Sequence, residues 1–371
     1  MSVECVFENE TCILYDELWS PQGLLFDDEK IVKLLKSNVI NRLKNIGQNG
    51  PSYHITPPIS RIEAPIKTTR FDHSCGTMII TKIFGGTTEE QLSALLHDIP
   101  HTCFSHTVDF MVGKPEESYH EVHKDEILVP YEPELKEILG KKWKNFLDGS
   151  KFPVVKLNRH IASDVVDYLC RDAFTFNQKP REELVEYGQK LIIKPISYEE
   201  QEETKNRRLC CNNQEEAVWW QNLSKLIGNN IYNAPWSIGQ NIMLAKILEE
   251  KNILEEIITC KLNEKNYITD EDIQRITRVE WKFGDSISDK QNWKKEKDIN
   301  IRTRIANPFI VKNGLAVLDP KIEKNALDIS ESLKSGKELY YHDNLSGGKF
   351  NYYYKYNKYK TKYMKLKHTY S

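Results

Sequence analysis

The sequence predicts a mainly α-helical protein with a smaller mixed α/β region toward its C-terminal end. Three observations carry that expectation. Apolar residues recur at three- and four-residue spacing in several long segments, glycines and prolines break the pattern between 47 and 65, and the clearest β signal is one short hairpin late in the chain.

In chain order, residues 27–46 read as an amphipathic helix, apolar at Ile31, Leu34, Leu35, Val39, Ile40, Leu43 and Ile46 and ended by Gly47 and Gly50. Pro51, Pro57, Pro58 and Pro65 then predict a loop or short-strand connection. Helical patterns follow from Arg70 to Ile83 and from Thr88 to His97, with further helices expected at 132–147, 160–172, 214–229 and 237–259. Short strands are expected around the LIIKPI run within 179–209. Across 303–320, two β-rich runs flank Lys312-Asn313-Gly314, and Asn-Gly is a strong hairpin-turn signal. The chain divides on this reading into a helical core with flanking helices over 1–275, a mixed α/β region over 276–344, and a linker and basic tail over 345–371.

Composition narrows the class. With 371 residues the chain can form one large domain or two ordinary ones, and 39% hydrophobic with 29% charged residues excludes disordered and fibrous proteins. No apolar run approaches the roughly 20 residues needed to span a bilayer. The N-terminal stretch carries acids where a secretory signal carries Lys or Arg, so a soluble intracellular, cytoplasmic protein with no membrane partner is expected. Eight cysteines without a C-x-x-C pair read as reduced thiols.

Histidine is the informative residue. Eight of the ten fall within residues 54–160, and imidazole is both a common metal ligand and the side chain that titrates nearest neutrality. His97 and Asp98 adjoin at the expected end of a helix, with Pro100 disfavouring its continuation and His101 and His106 close behind. Asp109 follows His106 by three residues, within reach of its ring N–H. One imidazole and one carboxylate supply two mixed N/O ligands for a divalent cation, and two more must come from elsewhere in the chain.

Four segments in order carry a resemblance. Arg70-Phe71-Asp72-His73-Ser74-Cys75-Gly76, Leu95-Leu96-His97-Asp98-Ile99-Pro100-His101 running on to Phe104-Ser105-His106, the pair His120-Glu121, and Asp164-Val165-Val166-Asp167-Tyr168 running on to Arg171-Asp172 together resemble the HD-domain metal-dependent phosphohydrolases. The wording is similar to the deoxynucleotide triphosphohydrolase branch, and the likeness spans about residues 14–275. It implies an HD-domain helical core in which His73, His97, Asp98 and Asp164 hold one divalent metal ion, with Mn, Fe, Mg, Zn and Co equally compatible. It implies Gln48, Arg70, Tyr168 and Asp172 as phosphate- or nucleotide-binding residues.

The chemistry of such a site is hydrolysis of a nucleotide phosphoester, a (deoxy)nucleoside triphosphate or monophosphate, by attack of metal-bound hydroxide. His106, oriented by Asp109, is the expected donor to the leaving oxygen, with His101 and His120 facing the phosphate. The chain departs from the branch at Val165, where a phosphate-contacting Lys is usual, at Asn233, where a His is expected, and at Pro100 in place of Gly. These departures weigh against a triphosphate. The branch often assembles through its helical core, which raises the expectation of a homo-oligomer.

The last segment adds an independent expectation. Residues 349–371 hold seven Lys and no acid, although the whole chain has a net charge of only −2. Tyr352, Tyr356, Tyr359, Tyr363 and Leu366 follow heptad spacing, leaving Lys355, Lys358, Lys362 and Lys365 on the other faces of a helical Lys/Tyr-rich tail. Such a tail is suited to single-stranded nucleic acid, and it resembles the C-termini of large DNA virus proteins, which would place the chain in host cytoplasm or virion. The alternative function is then a catalytically weak nucleotide-sensing or scaffold protein that binds nucleic acid through this tail.

Overall fold

The computed structural model describes residues 2–59, 65–112, 119–199, 203–258, 264–288, 291–299, 305–333 and 337–343. The Lys/Tyr tail, with Lys355, Lys358, Lys362 and Lys365, lies outside the described residues. The chain is predominantly helical, as its periodicity predicts, with three small sheets.

It opens with a meander that the sequence reading does not anticipate: β1 (Glu4–Glu8), β2 (Thr11–Asp16) and β3 (Ser20–Phe26) pair antiparallel in order. β2 alternates half-buried and buried residues, burying Cys12, Leu14 and Asp16 on its inner face. The amphipathic segment that follows is not one helix. α1 (Glu29–Lys36) ends at Ser37, which is extended and whose Oγ accepts from Ile40 N to begin α2 (Asn38–Asn41), and a 3₁₀ turn completes the run.

α3 (Arg70–Ile83) is the central helix. Thr69 and Asp72 form a reciprocal capping box at its start, and every residue from Arg70 to Thr81 is buried, which fits a helix surrounded on all sides. α4 (Thr88–Leu96) begins with a second capping box, Thr87 with Glu90, and packs against α3. Short helices α5 (Thr107–Met111), α6 (Tyr119–Val122) and α7 (Lys124–Leu128) follow. α8 (Glu132–Leu139) stops short of the expected 147 because Gly140 takes a φ of 82°, a conformation that costs a side-chain-bearing residue more.

α9 (Ser163–Thr175) packs on α3 from the other side. The two helices meet at Gly76, where an added Cβ would lie 2.1 Å from Arg171 Nη2 and 2.2 Å from Asp167 Oδ1. That close approach is what lets side chains of α9 reach the N-terminal turns of α3.

The segment 179–209 holds α10 (Arg181–Gln189), not anticipated, before the expected strand β4 (Ile192–Pro195) and then β5 (Arg207–Cys211). α11 (Gln214–Ile227) and α12 (Pro235–Lys251) flank a π-helical turn at Gly228–Tyr232. Asn252, left-handed at a φ of 56°, separates α12 from α13 (Leu254–Ile258). Beyond these come α14 (Asp270–Thr277), β6 (Val279–Phe283), β7 (Lys294–Ile299), β8 (Phe309–Lys312), β9 (Leu315–Val317), α15 (Pro320–Leu333) and β10 (Lys337–Asp343). The hairpin read at 303–320 is β8–β9, turning through Asn313 and Gly314 at positive φ. β8 joins β5 in parallel to complete the sheet β4-β5-β8-β9, and β10 lies between β6 and β7.

Two large apolar clusters hold these elements. One joins the N-terminal meander, α1 to α4 and α12 with Trp281, Phe283 and Leu339. The other joins α9 and α11 with Ile310 and Ile322. The seven described cysteines are free thiols. Among the described residues no helix is long and apolar enough to cross a membrane.

Candidate metal centre

Three helix termini and the turn after α4 converge on one buried point. His73 projects from the first turn of α3, His97 caps the C-terminal end of α4, Asp98 follows in the turn, and Asp164 occupies the first turn of α9. His73 Nε2 and His97 Nε2 stand 3.1 Å apart, and Asp164 Oδ1 lies 3.2 Å from the first and 3.6 Å from the second. Asp98 contributes Oδ1 at 3.5 Å from His97 Nε2 and Oδ2 at 3.8 Å from His73 Nε2. Ligand atoms of His73, His97 and Asp164 all fall within 4.8 Å of one another; Asp98, expected as the fourth ligand, does not join that group and has its Oδ2 bonded to Arg70 Nη1 at 2.7 Å.

The hydrogen bonds fix the orientation of both rings. His73 Nδ1 donates to Asp167 Oδ2 at 2.7 Å, and His97 Nδ1 donates to the Ala94 carbonyl at 2.7 Å. Both Nε2 atoms are therefore left facing the same point, where two lone pairs and two carboxylates repel unless a cation or a shared proton lies between them. Donors about 2.0–2.2 Å from a common ion stand about 3 Å apart when at right angles, so the donor set fits a divalent metal. Burial opposes charge on His73, yet the bonded Asp164 and Asp167 carboxylates push its pKa up to about 10. At Asp98 burial is likewise outweighed: Arg70 and the His97 and His73 rings hold its carboxyl well below the usual range.

A buried network that the sequence reading misses stands behind His73. Asp167 accepts from Trp19 Nε1 at 2.7 Å and from Arg171 through Nε at 2.9 Å and Nη2 at 2.7 Å, and Arg171 Nη2 also reaches Asp16 Oδ2 at 2.6 Å. Asp167 and Arg171 are one helical turn apart, a spacing visible in the sequence; Asp16 and Trp19 are not locatable without the fold. Such a carboxylate fixes the ring tautomer and raises the basicity of the ligand. Asp167→Asn is expected to lower metal affinity about 10–100-fold, read by competition with a chelator, and unchanged affinity would remove this role.

Beside Asp98 lies a second histidine cluster, as the sequence anticipates. His101 stacks on His120 with ring centroids 3.7 Å apart, and His106 packs edge-on to both, 5.2 Å and 5.5 Å away. His101 Nε2 lies 3.5 Å from Asp98 Oδ1. Burial, reinforced by neighbouring positive groups, pushes His101 and His120 well below the usual imidazole range, so both are neutral N–H donors. His106 Nδ1 pairs with Asp109 Oδ2 at 3.2 Å, leaving its Nε2 unconstrained by that bond, and Asp109 is itself held by Tyr119 N at 2.8 Å. The turn delivering His106 passes through Phe104 and Ser105, both left-handed, at a cost of about 1–3 kcal/mol each. Buried Glu264 steadies it by accepting from the Phe104 and Gly47 amides and pairing with His54.

The expected nucleotide-binding residues fall into place differently. Arg70 is buried with all three guanidinium nitrogens on protein acceptors: Nη1 to Asp98 Oδ2 at 2.7 Å, Nε to Ser105 Oγ at 3.0 Å and Nη2 to the Gln48 carbonyl at 3.4 Å. Here it clamps Asp98 and offers no free fork to a phosphate. Asp172 is also buried, accepting from Asn49 at 2.9 Å and from the Tyr232 hydroxyl at 2.5 Å, so it organises those side chains. Tyr168 is half-buried on the same helix, 6.1 Å ring to ring from Tyr232. Gln48 is buried, and its side-chain Oε1 has no hydrogen-bond partner among the described residues. Val165 packs against apolar neighbours and supplies no cation. His160 and His123 serve the fold, the first bonded to the Asn307 carbonyl and the second stacked on Tyr119.

No family model matches the chain. In sequence it is 33% identical over 184 residues to the metal-dependent phosphohydrolase cns2 of Cordyceps militaris, covering 48% of this chain and 50% of that one. It is 32% identical over 170 residues to the uncharacterized protein YdhJ of Bacillus subtilis, covering 45% and 50%. The chain thus spans about half the length of these relatives. In fold it is similar to a phosphohydrolase from Bacteroides thetaiotaomicron, with a TM-score of 0.59 at 16% identity over 90% of this chain and 99% of that one. A hypothetical protein from Aquifex aeolicus gives 0.53 at 17% identity over 92% and 96%. Over about half its length the chain is thus similar in sequence to a metal-dependent phosphohydrolase, and at 16% identity its likeness to the solved phosphohydrolase is one of fold.

Proposed function

We propose that the chain is a metal-dependent phosphohydrolase acting on the phosphoester of a nucleotide. The observation that carries the reading is the facing pair of Nε2 atoms of His73 and His97, 3.1 Å apart, with Asp164 grouped about the same point, Asp98 3.5 Å from His97 Nε2, and three further histidines beside them. When bound there, a divalent ion lowers the pKa of a water and withdraws charge from phosphorus.

The chain's own groups supply the rest. Arg70 and Asp167 orient one carboxylate and one imidazole donor toward the ion. The neutral rings of His101 and His120 offer N–H groups to phosphoryl oxygens, where a donor strengthens as charge develops. His106, its Nδ1 held by Asp109, delivers a proton from Nε2 to the departing oxygen. A single phosphate group fits this site better than a triphosphate, since Arg70 is already engaged and Val165 is apolar.

Chromatographic analysis of the products (nucleoside, nucleotide, phosphate or triphosphate) from nucleoside mono- and triphosphates and cyclic nucleotides, each with Mn, Fe, Mg, Zn and Co, tests the proposal. At least one nucleotide class should be hydrolysed, with monophosphates favoured, and Asp98→Ala should lose the activity. A metal-loaded protein that hydrolyses none of them would overturn it.

A further inference from the structure

The phosphate arriving at this site needs a cation, and the guanidinium groups around it are engaged. Arg70 is bonded to Asp98, Ser105 and Gln48, Arg171 to Asp167 and Asp16, and Arg42 to the carbonyls of His101 and Ile99. An ammonium comes from a place the sequence pattern does not mark. The loop before α9 folds back on that helix, so that Ser163 N donates to the Val154 carbonyl at 2.8 Å and Asp164 N to the Val155 carbonyl at 3.1 Å. The next residue, Lys156, is thereby carried within electrostatic reach of the Asp164 carboxylate. Its Nζ pairs with Glu121, the neighbour of His120 on α6, and Lys156, Glu121 and His97 line one cleft.

Resting on the phosphohydrolase reading, we propose that Lys156 is the phosphate-binding cation of this site, bridging from the Asp164 side of the metal centre to the histidine cluster in place of the cation that Val165 does not provide. An ammonium has three protons. Glu121 accepts one of them and holds the side chain over the cleft, leaving two for phosphoryl oxygens. Lys124 lines the same cleft and adds to its positive rim. Because the charge is a single flexible ammonium and not an arginine fork, it suits one terminal phosphate group and not an extended polyphosphate.

Calorimetric titration of inorganic phosphate into the Mn-loaded full chain tests this independently of turnover. Wild type should bind, Lys156→Met should bind about ten-fold more weakly or worse, as loss of a charge-assisted hydrogen bond implies, and Lys156→Arg should stay within a few-fold of wild type. Metal content must be equal in all three, which separates phosphate binding from damage to the ion site. Equal phosphate affinity in Lys156→Met and wild type, or no binding by wild type, overturns the proposal. If nucleotides are hydrolysed but phosphate affinity ignores Lys156, this inference alone fails; if phosphate binding follows Lys156 but no phosphoester is hydrolysed, the phosphohydrolase reading fails and this one stands.

Discussion

Arg171→Met is expected to destabilise the protein by about 3–5 kcal/mol, the range found when one partner of a buried ion pair is removed. The guanidinium is about 1% exposed and bonds Asp167 through two nitrogens and Asp16 through one, so its loss leaves two buried carboxylates without a cation. Urea denaturation should show a lower midpoint with an unchanged slope. The double variant Asp16→Asn with Arg171→Met should recover part of the loss, because it removes one of the stranded charges. A single-variant change under about 1 kcal/mol would mean that the network is not an energetic unit. Since Asp167 also holds His73, metal affinity should fall together with stability.

His106→Ala should lower kcat by about 10²–10⁴-fold if the ring protonates the leaving oxygen. The loss should be confined to substrates whose leaving group needs that proton. With p-nitrophenyl phosphate, whose leaving group departs as a stable anion, the variant should stay close to wild type. Metal content should not change, because His106 contacts Asp109 and the other two rings of its cluster and none of the facing Nε2 atoms. Equal losses on both substrates would assign His106 to binding or structure instead.

How far the sequence reaches can be judged residue by residue. α3, α4, α9 and α11 were legible because their apolar periodicity is long and their ends carry local signals, as the Thr69–Asp72 box does. The ends that miss their expected places involve single residues: Ser37 capping a second helix, Gly140 and Asn252 taking positive φ. The N-terminal meander escaped because its strands are short and β1 is mostly exposed, giving no clean alternation. At the site, His73, His97 and Asp164 from three of the motif segments lie close together, with Asp98 and the rings of His101, His106 and His120 beside them. The roles of Arg70 and Asp172 were not legible, since both depend on partners from other segments: Ser105 and Asp98 for the first, Asn49 and Tyr232 for the second. Asp16, 155 residues from Arg171, and Lys156, brought in by a loop folding back, carry no local signal at all.

We propose that His73, His97, Asp98 and Asp164 hold one divalent ion. Elemental analysis of the purified full chain, with His97→Ala and Asp164→Ala beside it, measures this directly. About one equivalent of a divalent metal is expected in wild type, lost from both variants while each stays folded by circular dichroism. Full metal content retained in both variants would contradict it.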